Sequence, residues 1–255
     1  MNYLHWKEKV ITDFSGKNIA HMYQCGYVFT RLGRGVMHQT RSIRIDLNKF
    51  KLSSENRRIL RKTKNISLSI HELPLENYDW NIGKMAKDFY ETKFGKGVMS
   101  AQKIKEILTN KEKSNFNIII VTEQNMPEKG TCRRVLAPHS FSAAFAASEG
   151  PFPGMFCSVT CGYAICYKNS SILHYSYPFY DIEKSPKDMG LSMILQAIQY
   201  AKDANMKYIY LGSLQRPTDT YKLQFSGLEW FDGQKWNTDI EAVKKFLRAC
   251  SKSNA

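Results

Sequence analysis

The stretch that most constrains the fold runs from position 171 to 211. Residues 171–179 and Lys207-Tyr-Ile-Tyr-Leu211 are rich in strand formers, and a strong helical pattern covers about 188–203 between them. Met189, Met193, Ile194, Ala197, Ile198 and Ala201 fall on one face of that helix. Further strands and helices alternate along the chain. The fold class is therefore α/β (α+β), a mixed sheet with packed helices. Residues 160–168 form another strand, joined to 171–179 by the Lys168-Asn-Ser-Ser171 turn.

The N-terminal part reads in the same way. Residues 1–24 form a leader with a short strand or helix. Cys25 to Leu47 reads as a hairpin turned at Leu32-Gly-Arg-Gly35, with Arg41-Ser-Ile-Arg-Ile-Asp-Leu47 alternating as a half-buried strand does. Ser53 or Ser54 caps the next helix. Residues 66–70 form a strand, 78–93 and 100–108 helices, and Asn117-Ile-Ile-Ile-Val121 a strand buried on both faces. A short helix carries Tyr221, Lys222 and Phe225, a hairpin turns at Asp232-Gly233, and a helix covers 239–248. Three regions follow: 1–123, an irregular insertion at 124–156, and 157–255.

Composition narrows the function classes. At 255 residues and 43% hydrophobic content the chain can bury a real core. It holds no run of about 18 uncharged apolar residues, and its first residues lack a signal-peptide pattern, so a cytoplasmic setting and no membrane partner are expected. Six scattered cysteines suit free thiols in a reducing compartment. The spacing of Cys157, Cys161 and Cys166, with Cys132, His139 and His174 elsewhere, is not that of common zinc sites, so no metal is expected. A net charge of +14 directs attention to polyanions, nucleic acid first. Arg57, Arg58, Arg61 and Lys62 make one cationic helix face suited to phosphates, and Arg44 on a strand is expected to reach the same groove.

Two resemblances bear on chemistry. Lys187-Asp-Met-Gly190-Leu-Ser192 is similar to the helix-start turn with which acyl-CoA transferases hold pyrophosphate. A longer, collinear likeness runs through most of residues 25–236. Leu173-His-Tyr-Ser-Tyr-Pro-Phe-Tyr-Asp181, Lys207-Tyr-Ile-Tyr-Leu-Gly212, Tyr221-Lys222-Leu-Gln-Phe225 and Asp232-Gly-Gln-Lys-Trp236 resemble segments of aminoacyl-tRNA–protein transferases. So do Gly26-Tyr-Val-Phe-Thr-Arg-Leu-Gly33, the 41–62 strand-helix, and Tyr90-Glu-Thr-Lys-Phe-Gly-Lys-Gly97-Val-Met99. The family's N-terminal cysteine cluster is represented by Cys25 alone, and Met37-His-Gln-Thr-Arg41 stands where its later pair would be.

That resemblance implies a fold built from two acetyltransferase-like (GNAT-like) halves. It also implies transfer of an amino acid from charged tRNA to an amine, on a protein N-terminus or a small molecule. The tRNA ester is already activated, so no cofactor is implied beyond aminoacyl-tRNA as co-substrate. Asp181, Tyr180, Tyr221 and Lys222 become candidates for catalysis, and Tyr175, Tyr177, Gly190 and Gly212 for the substrate pocket. Arg44, Arg57, Arg58, Arg61 and Lys62 become candidates for tRNA binding. Two rivals share the fold: an N-acyltransferase using acetyl-CoA, and a non-catalytic RNA-binding relative.

Overall fold

The computed structural model describes residues 4–126 and 157–252. Most of the insertion expected at 124–156 lies outside the described residues, as do Cys132 and His139. In chain order the elements are β1 (Lys7–Val10), α1 (Gly16–Gln24), β2 (Tyr27–Phe29), β3 (Val36–Gln39), β4 (Ser42–Asp46) and α2 (Ser54–Lys62). Next come β5 (Ile66–Glu72), α3 (Trp80–Phe94), α4 (Ala101–Thr109), β6 (Ile118–Met126), β7 (Cys157–Lys168) and β8 (Ile172–Tyr180). The chain ends with α5 (Met189–Asp203), β9 (Tyr208–Ser213), a 3-10 helix (Pro217–Gln224), β10 (Leu228–Phe231), β11 (Trp236–Asn237) and α6 (Ile240–Lys252).

Eight strands form one mixed sheet in the order β11-β10-β4-β9-β8-β7-β6-β5, and β1-β3-β2 form a small antiparallel sheet beside it. Among the described residues β8 and β9 are the one parallel pair, and α5 makes the crossover between them. The large sheet divides the core. Ile118, Ile120, Ala164 and Leu173 pack on one side with α2, α5 and α6. Ile119, Ile165 and Phe179 pack on the other with α1, α3 and α4. The continuous isoleucine run of β6 thus feeds both faces, as its composition implied.

The expected face of α5 is buried: Met193, Ile194, Ala197 and Ile198 are each under 5% exposed. Helix α2 starts from a reciprocal cap. The Ser53 hydroxyl accepts from the Asn56 amide and the Asn56 side chain accepts from the Ser53 amide, both at 3.1 Å. It packs on α5, where the Ser192 hydroxyl donates to Thr63 Oγ1 at 2.8 Å.

One reading of the N-terminal part needs correction. The hairpin turned at 32–35 joins β2 to β3, not to the 41–47 strand. That strand, β4, leaves the small sheet and inserts between β9 and β10 in the large one. Its five residues are all buried, and it needs a partner on each edge, which β3 cannot supply. No helix among the described residues is long and apolar enough to cross a membrane.

Candidate active site

The parallel pair parts soon after it forms. β8 and β9 match only at Ile172–Tyr208, Leu173–Ile209 and His174–Tyr210. Beyond these, β8 stays with β7 as far as Tyr180, while β9 stays with β4 as far as Ser213. A wedge opens between residues 175–180 and 211–213. Gly212 lies on its edge with no atom within 4 Å of where a β-carbon would be. Divergence of parallel strands at their carboxyl ends is where open α/β sheets admit ligands.

Four elements line this wedge. From β8, Tyr175 is 3% exposed, and its buried hydroxyl has no hydrogen-bond partner. Burial, then the neighbouring Cys166, Tyr221, Tyr90 and Tyr180, hold that phenol firmly protonated. A buried hydroxyl without a partner is costly, and such a group commonly marks a place where something binds. From the 3-10 helix, Lys222 donates from Nζ to the Ser213 carbonyl at 3.0 Å. Burial lowers its pKa, opposed by Asp219 and reinforced by Arg216. Tyr221 beside it is 42% exposed over its whole side chain, yet burial of the phenol pushes its pKa up. From α3, the Tyr90 hydroxyl donates to the Pro178 carbonyl at 3.2 Å, and its ionisation is disfavoured by burial and eased by Arg31 and Arg216.

His174 sits at the apex of the wedge, in the last registered pair. Its Nδ1 lies 2.9 Å from the Tyr23 hydroxyl. That hydroxyl also accepts from the Phe29 amide at 3.4 Å, so one buried tyrosine ties the ring to α1 and β2. Burial, and then the Lys222 charge, lower the His174 pKa to about 3.

At the open end, Tyr180 packs on Phe89 with ring centroids 4.8 Å apart. A β-carbon at Gly190 would lie 3.4 Å from the Tyr180 hydroxyl, so these two candidates meet at the start of α5. Tyr177 turns to the other core, edge-on to Phe116 at 5.3 Å. Asp181 follows directly, and its bonds are those of a turn residue. Its Oδ1 accepts from the Glu183 and Lys184 amides at 3.1 Å each, and Oδ2 pairs with Lys184 at 3.2 Å. Burial opposes its ionisation, but these bonds outweigh it and lower the pKa. The turn resembling a pyrophosphate loop is otherwise engaged. Asp188 puts a carboxylate at the N-cap of α5, and Ser192 is fully buried against α2.

The cations separate. Arg44 is internal, 3% exposed, and this corrects its expected place in an RNA groove. Its guanidinium bonds Glu229 at 2.7–2.8 Å and Gln24 at 2.7 Å, and lies 3.9–4.0 Å from the ring centroids of Tyr208 and Trp236. On α2, Arg58 is held by Glu55 at 2.6 Å and faces Asp188 at 3.5 Å. Arg57, Arg61 and Lys62 are exposed, Arg57 with one bond to the Leu52 carbonyl.

Sequence reasoning left Tyr90, His174, Arg31 and Arg216 unassigned. Tyr90, His174 and Arg31 lie within the segments that resemble the transferase family and Arg216 lies outside them, but all four reach the wedge only through tertiary packing. Among the described residues no three His, Cys, Asp or Glu side chains are grouped to hold a metal. Cys161 and Cys166 donate to the Thr122 and Ala164 carbonyls, and burial pushes the Cys161 thiol up to about 11.

No family model matches the chain. Three curated proteins named aspartate/glutamate leucyltransferase resemble part of it. The one from Ruegeria pomeroyi is 41% identical over 70 residues, 26% of this chain and 26% of the relative. That from Dinoroseobacter shibae is 36% identical over 62 residues, 24% and 22% of the two chains. That from Stenotrophomonas maltophilia is 33% identical over 63 residues, 24% and 25%. The matches thus span about a quarter of the length of these relatives. Among solved structures, L-PGS from Bacillus licheniformis aligns with TM-score 0.42 and 12% identity over 91% of this chain and 70% of its own. A lysylphosphatidylglycerol synthetase C-terminal domain from Agrobacterium fabrum aligns with TM-score 0.40 and 10% identity over 82% and 55%.

Proposed function

We propose that the protein transfers an amino acid from aminoacyl-tRNA to a primary amine, with the β8–β9 wedge as its active site. One observation carries the reading: the buried, unpartnered Tyr175 hydroxyl lies among Tyr90, Tyr180 and Tyr221 where β8 and β9 part, with Lys222 next to Tyr221 in the chain. Such a site suits a polar, uncharged ester whose carbonyl gains negative charge as it reacts. The partial likeness to leucyltransferases supports the same class of reaction.

The chemistry asks little of the protein. The amine nitrogen bonds to the ester carbonyl carbon, the carbon–oxygen bond to the terminal ribose breaks, and the proton lost by nitrogen ends on that ribose oxygen. The protein places the two reactants and stabilises the oxyanion. Lys222 has spent one donor on Ser213 and keeps two for the oxyanion, with the Tyr221 hydroxyl beside it. Tyr175 and Tyr180 hold the aminoacyl group, and Gly212 leaves its backbone open to it. Asp181 serves by fixing the turn between β8 and α5. Arg57, Arg61 and Lys62 take tRNA phosphates. Arg31, whose charge bears on Tyr90 at the wedge, suits an acidic acceptor, in keeping with the aspartate and glutamate in the relatives' names.

A panel of radiolabelled aminoacyl-tRNAs, offered with peptides of differing first residue and with small amines, tests this. The expected result is transfer from one class of aminoacyl-tRNA without ATP, reduced about a hundredfold or more in Lys222→Met, in line with loss of an oxyanion donor. Transfer from acetyl-CoA with none from any aminoacyl-tRNA would overturn the reading in favour of an acyltransferase. Binding of tRNA without transfer to any amine would leave an RNA-binding relative.

A further inference from the structure

The mouth of the wedge carries a surface that reaches beyond the reacting groups. Helix α3 ends on Phe94, a large aromatic left 40% exposed. The Arg216 guanidinium lies over its ring at 4.3 Å, bringing the turn before the 3-10 helix onto the end of α3. Phe94 also meets Tyr90 with ring centroids 5.6 Å apart, and Tyr90 anchors to the wedge wall. Tyr221, 42% exposed, stands at the same mouth. Trp6, Phe14 and Trp80 are also open to solvent, but Phe94 and Tyr221 are the exposed rings tied to the wedge, each through Tyr90.

The backbone that follows is equally open. Gly95 and Gly97 have φ of 97° and 79°, and neither has an atom within 4 Å of where a β-carbon would lie. Lys96 is exposed on the same loop, and Lys93 is exposed in the last turn of α3 before it. Its far end, Met99, takes the Arg31 Nη1 on its sulfur at 3.5 Å, so Arg31 flanks the loop. Cations, bare backbone and aromatic faces therefore converge within one turn of the wedge entrance.

We infer that Phe94, Arg216 and Tyr221, with the Gly95-Lys96-Gly97 loop, form the platform that stacks the unpaired bases at the 3′ end of the RNA co-substrate. Aromatic and guanidinium planes stack any base, and lysines with open backbone accept the phosphates between bases; together they suit a single strand rather than a duplex. The described connection between α3 and α4 contains no strand, so it offers an extended peptide no edge to pair with. The inference rests on the aminoacyl-tRNA reading of the wedge, because the platform places the last ribose at its entrance.

The test is fluorescence anisotropy with two RNA minihelices, one ending in CCA and one lacking the terminal adenosine. The wild-type protein should prefer the first by roughly tenfold or more, as expected for one stacked base. Phe94→Ala and Arg216→Ala should lose that preference while binding the shortened minihelix as before. Phe94→Leu keeps the packing on Phe89 and Tyr90, loses the aromatic face and should behave likewise, which separates stacking from folding. Alanine at Arg57, Arg61 and Lys62 should weaken both minihelices and keep the preference. If the Phe94 and Arg216 variants retain the wild-type preference, the platform is refuted even where transfer proceeds. If the wild-type protein binds neither minihelix and transfers nothing, the reading of the wedge falls, and the platform with it.

Discussion

At Arg44 a full positive charge lies in the core, and every neighbour explains why it stays there. Glu229 neutralises it, Gln24 takes a third bond, and two aromatic faces cover the guanidinium plane. Removing one member of a buried pair strands the other, so Arg44→Ala should cost about 3–5 kcal/mol, read as a lower urea midpoint at unchanged slope. Arg44→Lys keeps the charge but loses the fork and the stack, and should remain clearly destabilised. His174 is the opposite case, a titratable ring kept neutral. Its folded pKa of about 3 lies below the ordinary value near 6.5, so the unfolded chain binds the extra proton between these values. Its contribution is complete above pH about 6.5, shrinks as pH falls, and is gone below about 3. The full swing is on the order of 5 kcal/mol. Chemical denaturation of wild type and His174→Phe from pH 7 to 4 should show the variant losing less stability on acidification. Equal slopes would mean that the folded ring takes up its proton over the same pH range as the unfolded chain, and that its surroundings do not hold it neutral.

Helix α2 shows what spacing can and cannot reveal. Its four consecutive-face cations read as one phosphate-binding stripe, but Glu55 and Asp188 already balance Arg58. Alanine at Arg57, Arg61 and Lys62 together should therefore lower the log–log salt slope of tRNA binding by about two to three units, roughly 0.7–0.9 per contact, with little change in stability. Arg58→Ala alone should leave the slope nearly unchanged. An unaltered slope in the triple variant would make α2 an ordinary solvated face. The wider lesson is the same. The period of α5 and the isoleucine run of β6 report burial directly, and both were legible. Tyr175, Tyr180, Gly212, Tyr221 and Lys222 were picked out as separate pieces of sequence, and the structure gathers them at one wedge. Arg44 was misplaced because its partner Glu229 is 185 residues away and no local pattern announces it. His174, Arg31 and Arg216 stayed unassigned for the same reason: what matters about each is a neighbour from another element.

The whole molecule is held together by where β4 lies. A division at 124–156 into two self-contained halves is natural along the chain, yet the N-terminal β4 fills the slot between the C-terminal strands β9 and β10. Ile43 and Ile45 are fully buried there, and Arg44 locks the slot through Glu229. β6 joins β7 across the same division. Without residues 1–123, β9 and β10 would each expose a long unpaired edge, and the core below would lose two isoleucines at about 2–5 kcal/mol each. Against a typical domain stability of about 5–15 kcal/mol this is decisive. Residues 157–255 expressed alone should therefore show no cooperative unfolding transition. The two pieces expressed together should associate, recover a single transition and regain whatever transfer activity the intact chain has, because the wedge then has both β9 and its β4 support. A C-terminal piece that unfolds cooperatively alone, with its own dispersed amide spectrum, would show that β4 is an accessory strand and that the wedge can stand on the second half of the chain.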